Sequence, residues 1–151
     1  MFENSSNRTE LGDLGEFGLI DHIARSVILR NPESKKGIGD DAAVINNGGF
    51  ETVVTTDLLI EGVHFDLTYC PLRHLGYKAV VVNLSDIYAM NAIPKQITVA
   101  IAISNRFSLE AIEELYAGME LACERYGVDL IGGDTSSTHS GMVIGVTAIG
   151  K

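Results

Sequence analysis

Apolar residues recur at three- and four-residue spacing from Glu16 to about Arg30. This spacing places them on one face and predicts an amphipathic helix. Asn31-Pro32 should end that helix, because the residue before a proline is pushed away from helical angles. After a basic, glycine-containing loop, two short apolar runs at Ala42–Ile45 and Thr52–Ile60 flank an Asn-Asn-Gly-Gly turn. Together they predict a β-hairpin.

A buried helix is predicted over Leu72–Ala92, where apolar residues leave little polar face. Asn91 near its end tolerates the left-handed geometry of a helix stop, and Pro94 prevents continuation. Asp86 stands out within this helix, because a carboxylate in apolar surroundings is costly unless it is paired or coordinated. We therefore expect a functional or ion-binding role for Asp86.

The rest of the chain predicts a strand, a helix and two further strands. An apolar run indicates a strand over 96–104, and Ser108 is the expected N-cap of a helix that Gly127 stops. Strands over 128–131 and 142–149 follow, separated by a glycine- and serine-rich loop. The order α, β, β, α, β, α, β, β predicts a mixed α/β (α+β) domain with helices covering one face of a sheet.

Composition narrows the class of protein. With 151 residues, of which 46% are hydrophobic and 21% charged, the chain fits one globular domain. The polar residues 1–13 predict a flexible tail, and residues 14–151 the domain. The formal net charge of −9 argues against binding a nucleic-acid backbone or an anionic membrane. Without a spanning apolar stretch or a secretory signal, and with Cys70 and Cys123 far apart, we expect a reduced, cytoplasmic protein.

Four short motifs place an aspartate at the end of an apolar element, beside glycine or hydroxyl residues. They are Gly39–Asp41, Thr55–Asp57, Asn83–Asp86 and Gly132–Thr135. Carboxylates gathered from separate elements, with hydroxyl and backbone oxygens beside them, suit a hard cation such as Mg²⁺. Aspartate is also common in turns, caps and strand ends, so the plain structural interpretation of these motifs stays open. His64 is likewise either a half-buried loop histidine or a polar contact to a substrate.

Other chemistries find no support in the residues. The chain has no Cys/His spacing typical of zinc, no histidine at the spacing of a Ser-His-Asp relay, and no Walker loop. A contact between a phosphate and Lys35 or Lys36, beside the Gly-Ile-Gly loop, is a weakly specified alternative.

The motifs resemble, in order and spacing, those of thiamine-monophosphate kinases. The matching segments are Leu14–Ile20, Gly37–Ile45, Thr55–Phe65, Asn83–Pro94 and Gly132–Thr135. The run Asp-Asp-Ala-Ala-Val also fits the wider superfamily of aminoimidazole-ribonucleotide synthetase, selenophosphate synthetase and the hydrogenase-maturation dehydratase. The runs Glu-Gly-Val-His-Phe and Asn-Leu-Ser-Asp favour the kinase. Tyr88 and Asn91 depart from the family, which usually has small residues there.

The resemblance implies an enzyme that transfers the γ-phosphoryl group of ATP directly, in line, to the phosphate of thiamine monophosphate, with several Mg²⁺ ions along the phosphates. By position it implies the metal ligands Asp41, Thr55, Thr56, Asp57, Asp86 and Asp134. It places His64 at thiamine monophosphate, Gly133 and Tyr116 at ATP, and Asp40 in or just behind the metal site. No catalytic side chain beyond the metal ligands is implied.

The resemblance also implies a homodimer in which two N-terminal domains pair into a barrel. A second α/β domain of the family follows this one and is absent from the 151 residues. Two further hypotheses stay open. One is another ATP-using member of the superfamily, such as a synthetase of the aminoimidazole-ribonucleotide or selenophosphate type. The other is an inactive domain that dimerises and binds Mg²⁺ or nucleotide without turnover.

Overall fold

The computed structural model describes residues 8–151, which form three helices and one six-stranded sheet. The helices are α1 (Leu11–Ala24), α2 (Leu72–Ala89) and α3 (Leu109–Tyr126). The strands are β1 (Ser34–Lys36), β2 (Ala43–Asn46), β3 (Glu51–Ile60), β4 (Pro94–Ile103), β5 (Asp129–Ser137) and β6 (Val143–Gly150). The predicted mixed α/β class is confirmed.

The strands lie in the order β1-β2-β3-β6-β4-β5, and only β4 and β5 pair in parallel. Since β6 runs antiparallel to both β3 and β4, the strands β3, β4 and β5 point the same way. Their carboxyl ends therefore share one edge of the sheet, the edge at which open α/β sheets bind ligands. The pairing of β2 with β3 ends at Ala43 and Val54, so β3 continues to Ile60 with only β6 beside it.

Helices α2 and α3 cover one face of the sheet, as predicted. They cross closely at two glycines: a Cβ on Gly76 would lie 1.9 Å from the main-chain oxygen of Leu115. A Cβ on Gly118 would lie 1.8 Å from that of Arg73. No side chain fits at either position, so the two backbones are in direct contact.

The stop and cap residues predicted for the second and third helices are confirmed, although α2 ends at Ala89 rather than at Ala92. The Ser108 hydroxyl accepts a hydrogen bond from the Ala111 N–H at 3.2 Å, and Gly127 ends α3 in the left-handed conformation (φ 65°). Asn91, at φ 57°, takes the left-handed geometry expected after α2. The helix α2 is not buried all round, however, since the Tyr88 side chain is 49% exposed.

The first helix differs from its prediction, because it spans Leu11–Ala24 rather than Glu16–Arg30. Gly15 kinks it at φ 67°, and none of its residues is buried. The residues 25–30 have the apolar spacing but no surface to pack against, and an isolated helix of this length is marginal in water. Of the predicted tail, residues 1–7 lie outside the described residues, and Leu11–Asp13 form the first turn of α1.

Two strands differ from the prediction, which lacked β1 and ended β5 at residue 131. The strand β1 falls in the expected basic loop, where pairing with β2 fixes three residues. The strand β5 runs on through the expected glycine- and serine-rich loop to Ser137, because after a register shift between Ile97 and Thr98 its residues 132–137 stay paired with β4. Pairing with a neighbour thus overrides the low strand propensity of Gly132 and Gly133.

Candidate functional site

Neighbouring residues of β3 point to opposite faces of the sheet and so divide the predicted metal ligands. The Thr55 hydroxyl lies 3.0 Å from the main-chain oxygen of Asp41 and 3.4 Å from Asp86 Oδ2, on the side of α2. The Thr56 hydroxyl instead donates to the main-chain oxygen of Val146 at 3.1 Å and accepts from Thr147 Oγ1 at 3.1 Å. The two hydroxyls therefore have different partners, although Thr55 and Thr56 both line one cavity.

Asp41, Asp57 and Asp86 form an acidic cluster beside Thr55. Burial raises the pKa of Asp86, and the charges of Asp57 and Asp41 raise it further, while the hydrogen bond from Thr55 opposes the shift. The cluster thus concentrates negative charge that a cation would relieve. Asp40 is engaged elsewhere, because its ion pair with Lys36 lowers the pKa of the Asp40 carboxyl.

A cavity of about 820 Å³ lies against the acidic cluster. Its polar side includes Thr55, Asp57 and Asp86, and its apolar side includes Phe17 from α1 and Ile38. The combination suits a ligand that has both charged groups, held through a cation, and an apolar part.

The oxygen ligands near Thr55 suit a Mg²⁺ ion that the protein holds only in part, with waters and substrate phosphates completing its coordination. Among residues 8–151, no three histidine, cysteine or acidic side chains are placed to hold a metal ion by themselves. Protein-bound Mg²⁺ usually keeps several waters and takes only one or two carboxylates together with substrate phosphates. The acidic cluster, with the Thr55 hydroxyl and the Asp41 main-chain oxygen beside it, meets that requirement but does not form an all-protein cage.

Asp134 and Gly133 lie away from the acidic cluster. Asp134 is in register with Ala100 on the open face, which is the face of the sheet opposite α2 and α3. It lines a cavity of about 450 Å³ together with Thr56 and Thr147. A Cβ on Gly133 would lie 1.7 Å from the main-chain oxygen of Val99, so strand packing alone requires glycine there. The metal ligands implied by the resemblance therefore fall on both faces of the sheet.

The two remaining predicted contacts differ in their accessibility. His64 is exposed on the turn after β3, and its Nδ1 accepts a hydrogen bond from the Ile60 N–H at 2.9 Å. Tyr116 is half-buried against the core, and burial raises the pKa of its hydroxyl. Tyr116 lines neither the cavity beside the acidic cluster nor the one at Asp134.

Glu61 begins the Glu-Gly-Val-His-Phe run of the resemblance, which gives it no role of its own, although the structure gives its carboxylate several partners. Glu61 Oε2 accepts a hydrogen bond from the Met142 N–H at 2.6 Å, and Oε1 pairs with Arg106. The one signal in the sequence is an acidic residue followed by Gly62 at the end of an apolar run. That pattern is too common in turns to indicate a role.

Comparison with known proteins gives a family match over most of the chain. The family model of AIR synthase related protein, N-terminal domain, matches residues 39–151. The thiamine-monophosphate kinase of Bacillus subtilis (strain 168) is 41% identical over 139 residues, which are 91% of this chain and 42% of that protein.

Two solved structures separate the nearer from the more distant relatives. AaThiL complexed with AMPPCP and TMP superposes with a TM-score of 0.84 at 36% identity, covering 96% of this chain and 44% of that one. The hydrogenase maturation protein HypE gives a TM-score of 0.58 at 25% identity, covering 81% of this chain and 37% of that one. The chain thus spans less than half the length of these relatives. No helix in the described part of the chain is long and apolar enough to cross a membrane.

Proposed function

Because the chain belongs to the family of AIR synthase related proteins, whose N-terminal domain matches residues 39–151, we propose that it carries the Mg²⁺- and nucleotide-binding part of a thiamine-monophosphate kinase. The reaction is transfer of the γ-phosphoryl group of ATP to the phosphate of thiamine monophosphate, giving thiamine diphosphate. The observation that carries the proposal is the 0.84 TM-score and 36% identity to AaThiL, which was solved with AMPPCP and TMP. The lower similarity to HypE argues against the dehydratase branch.

The acidic cluster supports this function through electrostatics. Two phosphate-bearing substrates repel each other, and a pocket lined by carboxylates alone would repel both. Bound Mg²⁺ would supply the positive charge that offsets this repulsion and the charge that develops during transfer. On this chain Asp41, Asp57 and Asp86, with the Thr55 hydroxyl, would hold it. Phosphoryl transfer needs no protein nucleophile, so we propose that transfer is direct and forms no phosphoenzyme.

The open face supports the rest of the proposed arrangement. Asp134 and Gly133 line a cavity there beside the exposed Leu58, apart from the acidic cluster. Thr56 lines this cavity and also the one beside the acidic cluster. We place a second copy of the chain against this face, so that the two sheets pair into a barrel. Metal ions and ATP phosphates would then contact both groups of residues. We also place the protein in the cytoplasm, where the substrates of thiamine metabolism and reduced cysteines are found together.

The proposal is tested first by binding. The chain should bind ATP only when Mg²⁺ is present, as measured by isothermal titration calorimetry. Asp57→Asn and Asp86→Asn should each weaken this binding by about a hundredfold, because each removes a charge-bearing oxygen that Mg²⁺ needs. Asp129→Asn is the matched control, since Asp129 is exposed at the start of β5. Equal binding by all three variants would contradict the metal assignment.

Turnover separates the remaining alternatives. Thiamine diphosphate formed from ATP, Mg²⁺ and thiamine monophosphate would support the kinase, and phosphorylated protein trapped with labelled ATP would contradict direct transfer. ATP consumption with a synthetase substrate, and not with thiamine monophosphate, would favour another member of the superfamily. Binding of Mg²⁺ and ATP without product would favour a binding domain. This alternative is tested because the chain covers only 42% of the Bacillus subtilis relative.

A further inference from the structure

One ion pair at the carboxyl edge of the sheet has no part in the proposed function. The Glu61 side chain follows β3 and is only 16% exposed. Its Oε1 pairs with Arg106 in the loop after β4, and its Oε2 accepts from the N–H of Met142, a residue with no exposed surface, at 2.6 Å. A single carboxylate therefore joins the ends of three segments, through hydrogen bonds of the stronger, charge-assisted kind.

The turn that Glu61 begins also carries His64. Gly62, at φ 84°, reverses the chain, and its N–H donates to the main-chain oxygen of Phe65 at 2.8 Å. The His64 N–H donates to the main-chain oxygen of Ile60 at 2.8 Å. From α2, Lys78 Nζ donates to the main-chain oxygen of His64 at 3.3 Å. The main chain of this turn is thus held on several sides.

The same geometry fixes the position of the proton on the His64 ring. Nδ1 accepts a hydrogen bond from the Ile60 N–H at 2.9 Å, so Nδ1 carries no proton. In a neutral imidazole the proton then lies on Nε2, which becomes a donor. Because His64 is exposed, this donor is available to an oxygen of a ligand.

We propose that Glu61 is a positioning residue for His64. By tying the turn to the loops after β4 and β5, its carboxylate keeps the Ile60 N–H aligned with Nδ1 and so holds the His64 proton on Nε2. Without the carboxylate, Arg106 is released and the Met142 N–H loses an acceptor that it cannot replace in the core. The donation from Nε2 to the phosphate of thiamine monophosphate rests on the proposed function, whereas the positioning of the ring does not.

The decisive measurement is a long-range ¹H–¹⁵N NMR spectrum of the free chain at about pH 8, above the ordinary imidazole pKa of about 6.5. His64 is assigned by its absence in His64→Gln. The unsubstituted chain should show one tautomer, protonated on Nε2. Glu61→Gln replaces one acceptor oxygen by an NH₂ group, which must face either the Arg106 guanidinium or the Met142 N–H, two groups that only donate. This donor–donor contact should push the segments apart, so both tautomers should be populated.

Two further variants keep the test sharp. Glu114→Gln breaks the Arg73–Glu114 pair, another arginine–glutamate contact at 3.3 Å, and should leave His64 unchanged. Arg106→Gln removes one partner but keeps the bond to Met142, so it should give a smaller change in the same direction. If Glu61→Gln does not fold, Arg106→Gln decides. A single Nε2–H tautomer in the deciding variant, or an Nδ1–H tautomer in the unsubstituted chain, overturns the proposal.

Titration with thiamine monophosphate and Mg²⁺ tests the link to the ligand. Glu61→Gln should raise the dissociation constant about tenfold, the effect of misplacing one hydrogen bond to a charged group, and Glu114→Gln should not. Equal affinity in a Glu61→Gln variant with mixed tautomers overturns the donor role. If the unsubstituted chain does not bind thiamine monophosphate but His64 responds as expected, the proposed function fails and the positioning by Glu61 stands.

Discussion

The two faces of the sheet are built from alternate residues of the same strands, yet they have opposite characters. Under α2 and α3 the side chains of Ile97, Ile144 and Ala148 have no exposed surface. On the other face Thr147 and Ala100 are accessible, and Leu58 is 59% exposed. Strand alternation decides which residues share a face, but the helices decide which face becomes the core. The face left open is where small and hydroxyl side chains leave room for another surface or a ligand.

The largest expected effect is on stability, and it compares a glycine of α3, on the covered side of the sheet, with a glycine of β5. Gly118→Ala should lower the free energy of unfolding by about 3 kcal/mol, because the added Cβ would meet the main-chain oxygen of Arg73 at 1.8 Å. Gly132→Ala, on β5, should change it by less than about 0.5 kcal/mol, since a Cβ there meets nothing within 4 Å. Urea denaturation measures both. Similar losses in the two variants would mean that the faces do not differ in packing.

The second prediction concerns the proposed dimer. Leu58→Lys places a charge on the open face and should convert a dimer to a monomer, because burying an unpaired charge between two sheets is unfavourable. Leu121→Lys is the control, since Leu121 is an exposed leucine (46%) on α3, beyond the covered face. Light scattering after size-exclusion chromatography distinguishes the two masses. A dimer that survives Leu58→Lys would place the interface elsewhere.

The third prediction concerns the pH dependence of stability that Asp86 of the acidic cluster produces. Burial and the neighbouring carboxylates raise the pKa of Asp86 in the folded chain. The folded state therefore holds this proton more tightly than the unfolded state, and stability from this group is lost as the pH rises through the raised pKa. In metal-free buffer the melting temperature of the unsubstituted chain should fall, relative to Asp86→Asn, as the pH rises from the ordinary aspartate pKa of about 3.9 through the raised pKa of Asp86. Parallel melting curves across that range would contradict the assignment.

The smallest effect compares the two cysteines. Cys123 is a buried residue of α3, on the covered side of the sheet. Burial, followed by the charges of Glu120 and Asp129, raises the pKa of its thiol to about 11. Cys70 is half-buried and outside α2. Since the thiolate is the reactive form, a thiol reagent should modify Cys70 first and Cys123 only on unfolding. The variant Cys70→Ser should show the slow phase alone; a fast phase in that variant would mean that the covered face opens readily.

Much of the covered face could be predicted from the sequence, because its signals are local. Ser108, Gly127 and Asn91 fix helix ends through their own backbone and side-chain chemistry. The apolar spacing of α3 indicates which of its sides is buried. For α1 the same kind of spacing misplaced the helix by about one and a half turns, since no packing partner selects its boundaries.

The structure brings Asp41, Asp57 and Asp86 together beside Thr55 but leaves Asp134 elsewhere, an arrangement that the sequence did not predict. The motif around Thr55 and Thr56 indicated cation chemistry, yet which hydroxyl faces Asp86 depends on strand register, which one chain segment alone does not determine. Glu61 was missed for a related reason. Its partners Arg106 and Met142 are 45 and 81 residues away in sequence, so no local pattern joins them. Only the pairing of strands that are distant in sequence brings Glu61 close to these partners.

The unequal lengths of β2 and β3 have a consequence for aggregation. Beyond Val54, β3 offers one unpaired side of its backbone, and such an edge can template pairing with a foreign strand. Two features oppose that hazard here: negative charge from Asp41, Asp57 and Asp86 along the stretch, and the His64 ring on the Ile60 N–H at its end. The residues that we propose to bind ligands thus also protect the edge of the strand from such pairing. Neutralising substitutions in the acidic cluster should therefore be watched for precipitation as well as for lost binding.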